Sequence, residues 1–304
     1  MTTTLNRAAG AAALFLVGVT ACLAAEPATG AVTGGIAPYV VARGDTLFSI
    51  GARLGVDVET LAADNGLDRR QVLAVGQRLT VDNRHIIATD AAAADIVVNL
   101  PQRMLFFFER ETVGLPVAVG RRTWPTPTSE FRVASRETDP TWDVPASIRD
   151  EARRLGRSLP ASVPPGPTNP LGRFWIGLAG GGAIGLHGTN APSSIYGAVT
   201  HGCMRLSPDD IAWLFPRVQI GMTVRTVYEP VLLADVDGQV FLEVHPDVYR
   251  RAPISLASVR ARATERGLAG RIDWTRAARA VALQHGIARD VTARRIGGDE
   301  GVGR

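Results

Sequence analysis

Composition and charge narrow the class of protein before any motif is considered. The chain has 304 residues, 46% of them hydrophobic, which is enough for about two domains with packed cores and excludes global disorder. The formal net charge is +4, and all 33 basic residues are Arg. Because no Arg-rich stripe alternates with aromatic residues, we expect no nucleic-acid partner.

Residues 1–25 are predicted to be an export signal. Arg7 precedes an apolar run at 8–21 that is too short to span a bilayer. The small residues around Ala24 permit ordinary signal-peptidase cleavage. Alternatively, Val19-Thr-Ala-Cys22 resembles a lipobox, which would leave a lipidated Cys22 attached to the membrane. Cys203 is the only other cysteine, and a lone thiol in an exported protein is either inert or kept for chemistry.

Residues 26–38 predict a linker, and residues 39–82 predict a small βααβ module. A strand begins at Tyr39, a turn and helix cap lie at 44–46, a second helix spans about 59–65, and a strand closes the module at 78–81. The module resembles a LysM domain through Tyr39, Val41, Gly44, Asp45, Thr46, Leu47, Ile50, Leu61, Asn65, Leu73, Gly76, Gln77, Arg78 and Leu79.

The LysM resemblance implies binding to glycans that contain N-acetylglucosamine, which in bacteria means peptidoglycan. It places the glycan-binding residues in the turn, at Gly44, Asp45, Thr46 and Leu47. A module that folds but binds glycan weakly is the other interpretation.

Residues 83–94 show little periodicity and predict a second linker. Residues 95–230 contain short β-branched and aromatic runs, which predict a mainly β domain built as a distorted sandwich or barrel. Two helices interrupt it, one near 146–155 and one capped by Ser207 and opened by Pro208. Residues 231–304 predict a strand near 240–244 and then a short helical extension that packs on this domain, with disorder from Gly297 onward.

The stretch from Ile184 to Leu206 holds two of the five histidines and Cys203. A cysteine nucleophile needs a base, which His187 or His201 could supply. Backbone N–H groups near Gly202 could stabilise an oxyanion, and the Arg205 guanidinium could bind a carboxylate. Together these groups describe acyl transfer through a thioester.

Three other interpretations of this stretch compete with acyl transfer. A zinc site of His187, His201, Cys203 and His245 fits no common ligand spacing. The sequence around Cys203 lacks the flanking pattern of papain-like proteases. Core histidines around an inert thiol stay open from the residues alone. The GxGxxG pattern at 180–185 is rejected as a dinucleotide site, since no helix can follow it.

The motif His187-Gly-Thr-Asn, followed by Thr200-His-Gly-Cys-Met-Arg-Leu206, resembles the signature of YkuD-type L,D-transpeptidases. Trp124-Pro-Thr-Pro-Thr, Asn169-Pro-Leu-Gly and Leu242-Glu-Val-His-Pro are similar to segments of the ErfK/YbiS subgroup, which belongs to the Gram-negative periplasm. The family usually has Gly where this chain has Ser129.

This resemblance implies a cysteine acyltransferase that cleaves a tetrapeptide stem between the diamino acid at position three and the terminal D-Ala. The acyl acceptor would be another stem, a lipoprotein Lys or water, and the partners would be peptidoglycan stems and glycan strands. No cofactor or metal is implied. A wall-binding protein with an inactive catalytic fold is the rival from another class.

The implied site roles fall on one loop. Cys203 is the nucleophile, His187 is the base oriented by the Gly188 carbonyl, and His201 shapes the pocket. The N–H groups of Gly202 and Cys203 form the oxyanion hole. The implied substrate-binding residues are Arg205, Gly188, Thr200 and Asn190.

Overall fold

The computed structural model describes residues 31–88, 94–180, 184–251 and 253–294. The predicted export signal with Cys22, and the segment from Gly297 onward, lie outside these ranges. Within them, no helix is long and apolar enough to cross a membrane.

The N-terminal unit has the predicted βααβ order. The first helix begins after Thr46, whose hydroxyl and backbone form a reciprocal capping box with Ser49, and it ends at Gly55, whose φ of 72° is left-handed. The small core of this unit contains Leu47, Ile50 and Leu61, together with residues of the strand Arg78–Asp82. The unit contains β1 (Val32–Thr33), β2 (Ile36–Val40), α1 (Leu47–Leu54), α2 (Val58–Asp64), β3 (Arg78–Asp82) and β4 (His85–Ile86).

Both predicted linkers carry secondary structure where the structure describes them. Val32–Thr33 pairs antiparallel with His85–Ile86, so β1 and β4 join the two segments on either side of the module. Residues 85–88 are buried, including the side chain of His85. The module is therefore held against the rest of the chain by paired and buried backbone instead of hanging on a free tether.

The central unit is a mixed sheet, not a purely antiparallel one. Its eight strands have the order β15-β13-β12-β9-β16-β5-β6-β7, with parallel pairs β13–β15 and β5–β16. The elements are β5 (Ile96–Asn99), β6 (Met104–Phe108), β7 (Thr112–Pro116), β8 (Val119–Gly120), β9 (Glu130–Thr138), β10 (Trp142–Asp143), α3 (Ala146–Arg154), β11 (Ser162–Val163), β12 (Phe174–Ala179), β13 (Gly185–His187), a 3-10 helix (Pro192–Ser194), β14 (Ala198–Thr200), β15 (Met204–Arg205), α4 (Pro208–Leu214) and β16 (Thr223–Val227).

One face of this sheet carries the main hydrophobic core, which α4 covers through Ile211 and Leu214. As predicted, Ser207 caps α4 by accepting a hydrogen bond from the Asp210 N–H, and Pro208 opens the helix. The mainly β class is confirmed.

The C-terminal unit is more than a short helical extension. It contains β17 (Val231–Val236), β18 (Gln239–Val244), α5 (Leu256–Glu265), a 3-10 helix (Ala269–Arg271), α6 (Trp274–Leu283) and β19 (Arg289–Asp290). The three strands form a sheet of order β17-β18-β19, on which α5 and α6 pack. Leu232 and Phe241 of this sheet belong to the same buried apolar cluster as Val97 of β5, so the unit packs on the central sheet as predicted.

A buried polar cluster joins all three units. Glu243 of β18 accepts hydrogen bonds from Gln102 (2.9 Å), from the Ile86 N–H (2.5 Å), and from the rings of His85 (2.8 Å) and His245 (2.7 Å). The Nε2 atom of His85 also lies 2.8 Å from the carbonyl oxygen at position 55. Since both ring nitrogens of His85 face acceptors, only the doubly protonated ring donates to both.

Candidate active site

The pairing of β13 with β15 brings the predicted site residues together. These strands run parallel, with Leu186 opposite Met204 and His187 opposite Arg205. Leu186 and Met204 are both fully buried in the main core. Because side chains alternate along a strand, His187, Arg205 and the preceding Cys203 share the opposite face.

His187 is held as a neutral base. Its Nδ1 lies 2.6 Å from the Gly188 carbonyl oxygen, the hydrogen bond expected from the sequence, and its ring stacks on Trp175 with 5.9 Å between centroids. Burial and the charge of Arg205 lower the pKa of His187 to about 4. Hydrogen bonds with the Gly188 and Leu171 carbonyls raise this pKa, but their effect is smaller. With Nδ1 donating to Gly188, the lone pair on Nε2 is available to accept a proton.

The Cys203 thiol is protonated in the resting site. Burial raises its pKa, although a hydrogen bond with the Gly185 backbone and the charge of Arg205 act in the opposite direction. A protonated Cys203 thiol and a neutral His187 imidazole leave neither group with a buried charge at rest.

Hydrogen bonds within the loop fix the turn that carries Cys203. Thr200 Oγ1 donates to the Cys203 carbonyl at 2.5 Å and accepts from the Gly202 N–H at 3.2 Å. Gly202 has a φ of 109°, where a side chain would be strained, and its carbonyl accepts from Thr126 Oγ1 at 2.8 Å. Two roles expected from the sequence therefore change, namely substrate binding by Thr200 and oxyanion binding by the Gly202 N–H. Thr200 is buried and braces the turn instead of facing a substrate, and the Gly202 N–H already has a partner within the loop.

Arg205 lies half-buried on the same face. Its Nη1 donates to Ser194 Oγ at 2.8 Å, while its Nε is buried without a hydrogen-bond partner among the described residues. Burial lowers the pKa of its guanidinium. The half-buried guanidinium keeps its charge close enough to Cys203 to lower the pKa of the thiol.

The structure adds a residue that sequence reasoning missed. Glu151 of α3 lies 2.7 Å from His201 Nε2 through Oε2 and forms an ion pair with Arg121 through Oε1. Hydrogen bonds from Arg121 and His201 hold the pKa of Glu151 at about 2, so it is a carboxylate at neutral pH. Trp124 packs edge-on against the His201 ring with 5.0 Å between centroids. Glu151 is 50 residues from His201, and no sequence pattern links the two.

A cavity of about 410 Å³ opens beside Cys203 and His201. Its wall is aromatic and acidic, and α3 contributes to one side of it. The lining includes Trp124, Trp142, Trp175, Glu137 and Asp143. A peptide that reaches the thiol would pass between these side chains.

Gly188 and Asn190 line a different cleft, of about 630 Å³. Asn190 Nδ2 donates to the Thr168 carbonyl at 3.1 Å. The two predicted substrate-binding residues therefore lie away from the cavity that contains Cys203.

The glycan-binding residues expected in the N-terminal module have structural roles. Leu47 is 1% exposed and belongs to the core. Asp45 accepts hydrogen bonds from the Tyr39 hydroxyl (2.5 Å) and from Arg53 (2.9 Å), and the Thr46 side chain caps α1. Gly44 lies at the turn with a φ of 89°, and Thr46 is exposed beside it. Of the four, only Leu47 is buried.

The zinc alternative is not assembled in the described part of the chain. Among the described residues, one group of three metal-ligating side chains has its ligand atoms within 4.8 Å of one another. It consists of His85, Glu243 and His245, which belong to the buried polar cluster that joins the three units. His201 bonds Glu151 instead. Ser129, where the family usually has Gly, does not have a left-handed φ. Its N–H donates to Thr226 Oγ1 at 2.9 Å.

Comparisons with known proteins identify the families of the two N-terminal units. The L,D-transpeptidase catalytic domain family matches residues 93–228, and the LysM domain family matches residues 39–82. The family match covers the mixed sheet, with His187 on β13 and Cys203 just before β15, and the LysM match covers the N-terminal module. The chain belongs to the L,D-transpeptidase family.

Several relatives carry that name. An Escherichia coli K12 protein named probable L,D-transpeptidase YbiS is 35% identical over 53% of this chain and 54% of its own length. The Salmonella typhimurium protein named probable L,D-transpeptidase ErfK/SrfK is 34% identical over 67% of each chain. A Bacillus licheniformis relative named putative L,D-transpeptidase YkuD is 32% identical over 61% of this chain and 96% of its own length. The chain thus spans about half the length of the YbiS relative.

Among solved structures, an L,D-transpeptidase from Mycobacterium tuberculosis matches 43% of this chain and 56% of its own at 19% identity. The TM-score of this match is 0.33.

Proposed function

We propose that the protein is a peptidoglycan L,D-transpeptidase that uses Cys203 as its nucleophile. The observation that carries the proposal is the parallel pairing of β13 with β15, which places the neutral imidazole of His187 on the same face as the thiol. Membership of the L,D-transpeptidase family supports the reaction class.

In the acylation step, the Cys203 thiol gives its proton to His187 Nε2 as the sulfur attacks the carbonyl carbon of the third stem residue. The bond from that carbon to the D-Ala nitrogen then breaks. The His187 imidazolium returns the proton to the leaving amine, so that D-Ala departs neutral at nitrogen and a thioester remains on Cys203. The oxyanion role expected of Gly202 passes in this scheme to the Cys203 N–H.

In the transfer step, an amine attacks the thioester carbon and its proton passes to His187. The bond between that carbon and the sulfur then breaks, and the His187 imidazolium protonates the leaving thiolate, so that the Cys203 thiol is regenerated. We propose the side-chain amine of a second stem as the acceptor, which yields a cross-link between two third residues. A lipoprotein Lys or water would react by the same steps, and the latter would make the enzyme an L,D-carboxypeptidase.

Arg205 and the aromatic cavity supply the recognition in this proposal. The Arg205 guanidinium, which is half-buried two residues after Cys203, suits a carboxylate of the stem. Trp124 and Trp175 cover the aliphatic part of the peptide, and both line the cavity at Cys203. The LysM module would retain the enzyme on glycan strands, and the predicted export signal would deliver it to the periplasm.

The test is D-Ala release from purified muropeptides with a tetrapeptide stem. The wild-type protein and Cys22→Ala should release D-Ala, whereas Cys203→Ala should not. Release that persists in Cys203→Ala refutes the nucleophile, and no release by the wild type favours a non-catalytic peptidoglycan-binding protein. The products distinguish the acceptors, since a cross-linked dimer, a lipoprotein conjugate and a free tripeptide differ in mass.

A further inference from the structure

The N-terminal module is in direct contact with the loop that joins His187 to Cys203. Helix α1 of the module packs against the 3-10 helix Pro192–Ser194. Ala52 of α1 is buried in the same apolar cluster as Ile195 and Tyr196 of the loop. A module that served only as a tether would not need to contact the catalytic loop.

An ion pair strengthens this contact at its centre. Arg103 Nη2 lies 2.7 Å from Asp57 Oδ2 of the module, and its Nη1 donates to the Tyr196 carbonyl at 2.9 Å. The guanidinium also lies 4.2 Å from the centre of the Tyr196 ring. The planar guanidinium of Arg103 therefore links the module to the catalytic loop. A Lys ammonium could not make both hydrogen bonds, to Asp57 and to the Tyr196 carbonyl, in the same fixed directions.

Two residues of this link have left-handed backbone conformations. Arg103 and Tyr196 have φ values of 57° and 61°, a region that is unfavourable for residues with a side chain. Such conformations persist only where the surroundings hold them, and both residues lie in the contacts between the module and the loop.

The same loop holds Arg205. Ser194 ends the 3-10 helix on which α1 packs, and its hydroxyl accepts from Arg205 Nη1 at 2.8 Å. Arg205 in turn lies on the face shared with Cys203 and His187. The contacts thus lead from Asp57 through Arg103 and the loop at 194–196 to Arg205, whose charge acts on the Cys203 thiol.

We propose that the LysM module is a positioning part of the active site, with Arg103 as the positioning residue that couples Asp57 to the loop holding Arg205. Glycan that engages the module then acts on a unit that shares a rigid interface with the catalytic loop. The inference rests on the proposed function where it concerns turnover, but not where it concerns the reactivity of the Cys203 thiol.

The experiment compares two acidic residues that both join the module to the rest of the chain. Asp57 pairs with Arg103, and Asp64 pairs with Arg289 of the C-terminal unit at 2.8 Å, away from the catalytic loop. Their side chains are similarly exposed, 27% for Asp57 and 23% for Asp64. Asp57→Asn keeps the shape and suits the N-cap position before α2, where the carboxylate makes no capping hydrogen bond.

Two readouts are taken on the full chain. The first is kcat and KM for D-Ala release from a tetrapeptide stem without glycan. The second is the pH dependence of Cys203 alkylation by iodoacetamide, followed by mass spectrometry of the Cys203 peptide. In Asp57→Asn we expect kcat to fall about tenfold with KM within about twofold, because a displaced active-site group lowers the rate by about this order. The midpoint of Cys203 alkylation in Asp57→Asn should move to higher pH, because Arg205 is then held less firmly near the thiol. Arg103→Lys should fall between Asp57→Asn and the wild type.

Asp64→Asn should leave both readouts within about twofold of the wild type. Equal behaviour of the two Asn variants, or wild-type kinetics and alkylation in Asp57→Asn, overturns the proposal and reduces the interface to docking alone. If the wild type releases no D-Ala but only Asp57→Asn shifts the alkylation midpoint, the proposed function fails and the positioning role stands.

Discussion

Glu243→Gln tests whether the buried cluster fastens the three units together. Four hydrogen-bond donors converge on the Glu243 carboxylate, which is completely buried. A Gln side chain has the same shape but only one oxygen. Either orientation of its amide turns an NH₂ group toward at least one of these donors, and the charge partner of His85 is lost.

The expected loss follows from the ionisation of Glu243. Burial raises the pKa of its carboxyl, but the charges and hydrogen bonds of His85 and His245 outweigh burial and lower the pKa from 4.5 to about 2. A displacement of this size corresponds to about 3 kcal/mol, and removing one partner of a buried ion pair costs about 3–5 kcal/mol. We therefore expect Glu243→Gln to lower the free energy of unfolding by about 3–4 kcal/mol and the Tm by about 10 °C.

Urea unfolding at several pH values measures the effect. Because the pKa of Glu243 is lowered on folding, its contribution is complete above pH 4.5 and is lost as the pH falls through about 2. The difference in the free energy of unfolding between the wild type and Glu243→Gln should therefore become smaller below pH 4.5. Glu130→Gln, which removes an exposed ion pair with Arg225, is the control and should change stability by less than about 0.5 kcal/mol. A Glu243→Gln loss no larger than the control's would refute the reasoning.

Two further predictions concern the site. Because His187 acts as a base only when neutral and its pKa is lowered to about 4, the acid limb of kcat/KM should lie near pH 4; a limb near 6.5 would contradict a buried, neutral imidazole. Glu151→Gln should lower kcat by about tenfold, because His201 loses its carboxylate and Arg121 its ion pair. Thermal melts should show little change for this variant, and an unchanged kcat would leave Glu151 with no role in positioning His201.

The local elements of the fold were predictable from the sequence. Thr46 and Ser207 mark the starts of α1 and α4 because a side-chain oxygen before an apolar run satisfies free N–H groups. The motif around Cys203 could be located because its residues lie close together in the chain.

Contacts between distant segments were not predictable. β1 and β4 have two residues each, too few to show alternation, so both segments were interpreted as linkers. Leu47 was assigned to glycan binding because a motif does not reveal which way a side chain faces, and in the fold it points into the core. Glu151 carried no signal because α3 reaches His201 only through the tertiary fold.

The central claim is that Cys203 carries the acyl group, and mass spectrometry of the protein after incubation with a tetrapeptide stem or a carbapenem tests it most directly. The account predicts an acyl adduct on the peptide that contains Cys203, formed more slowly in His187→Ala and absent in Cys203→Ala. An adduct on another residue, or none while D-Ala is being released, would contradict it.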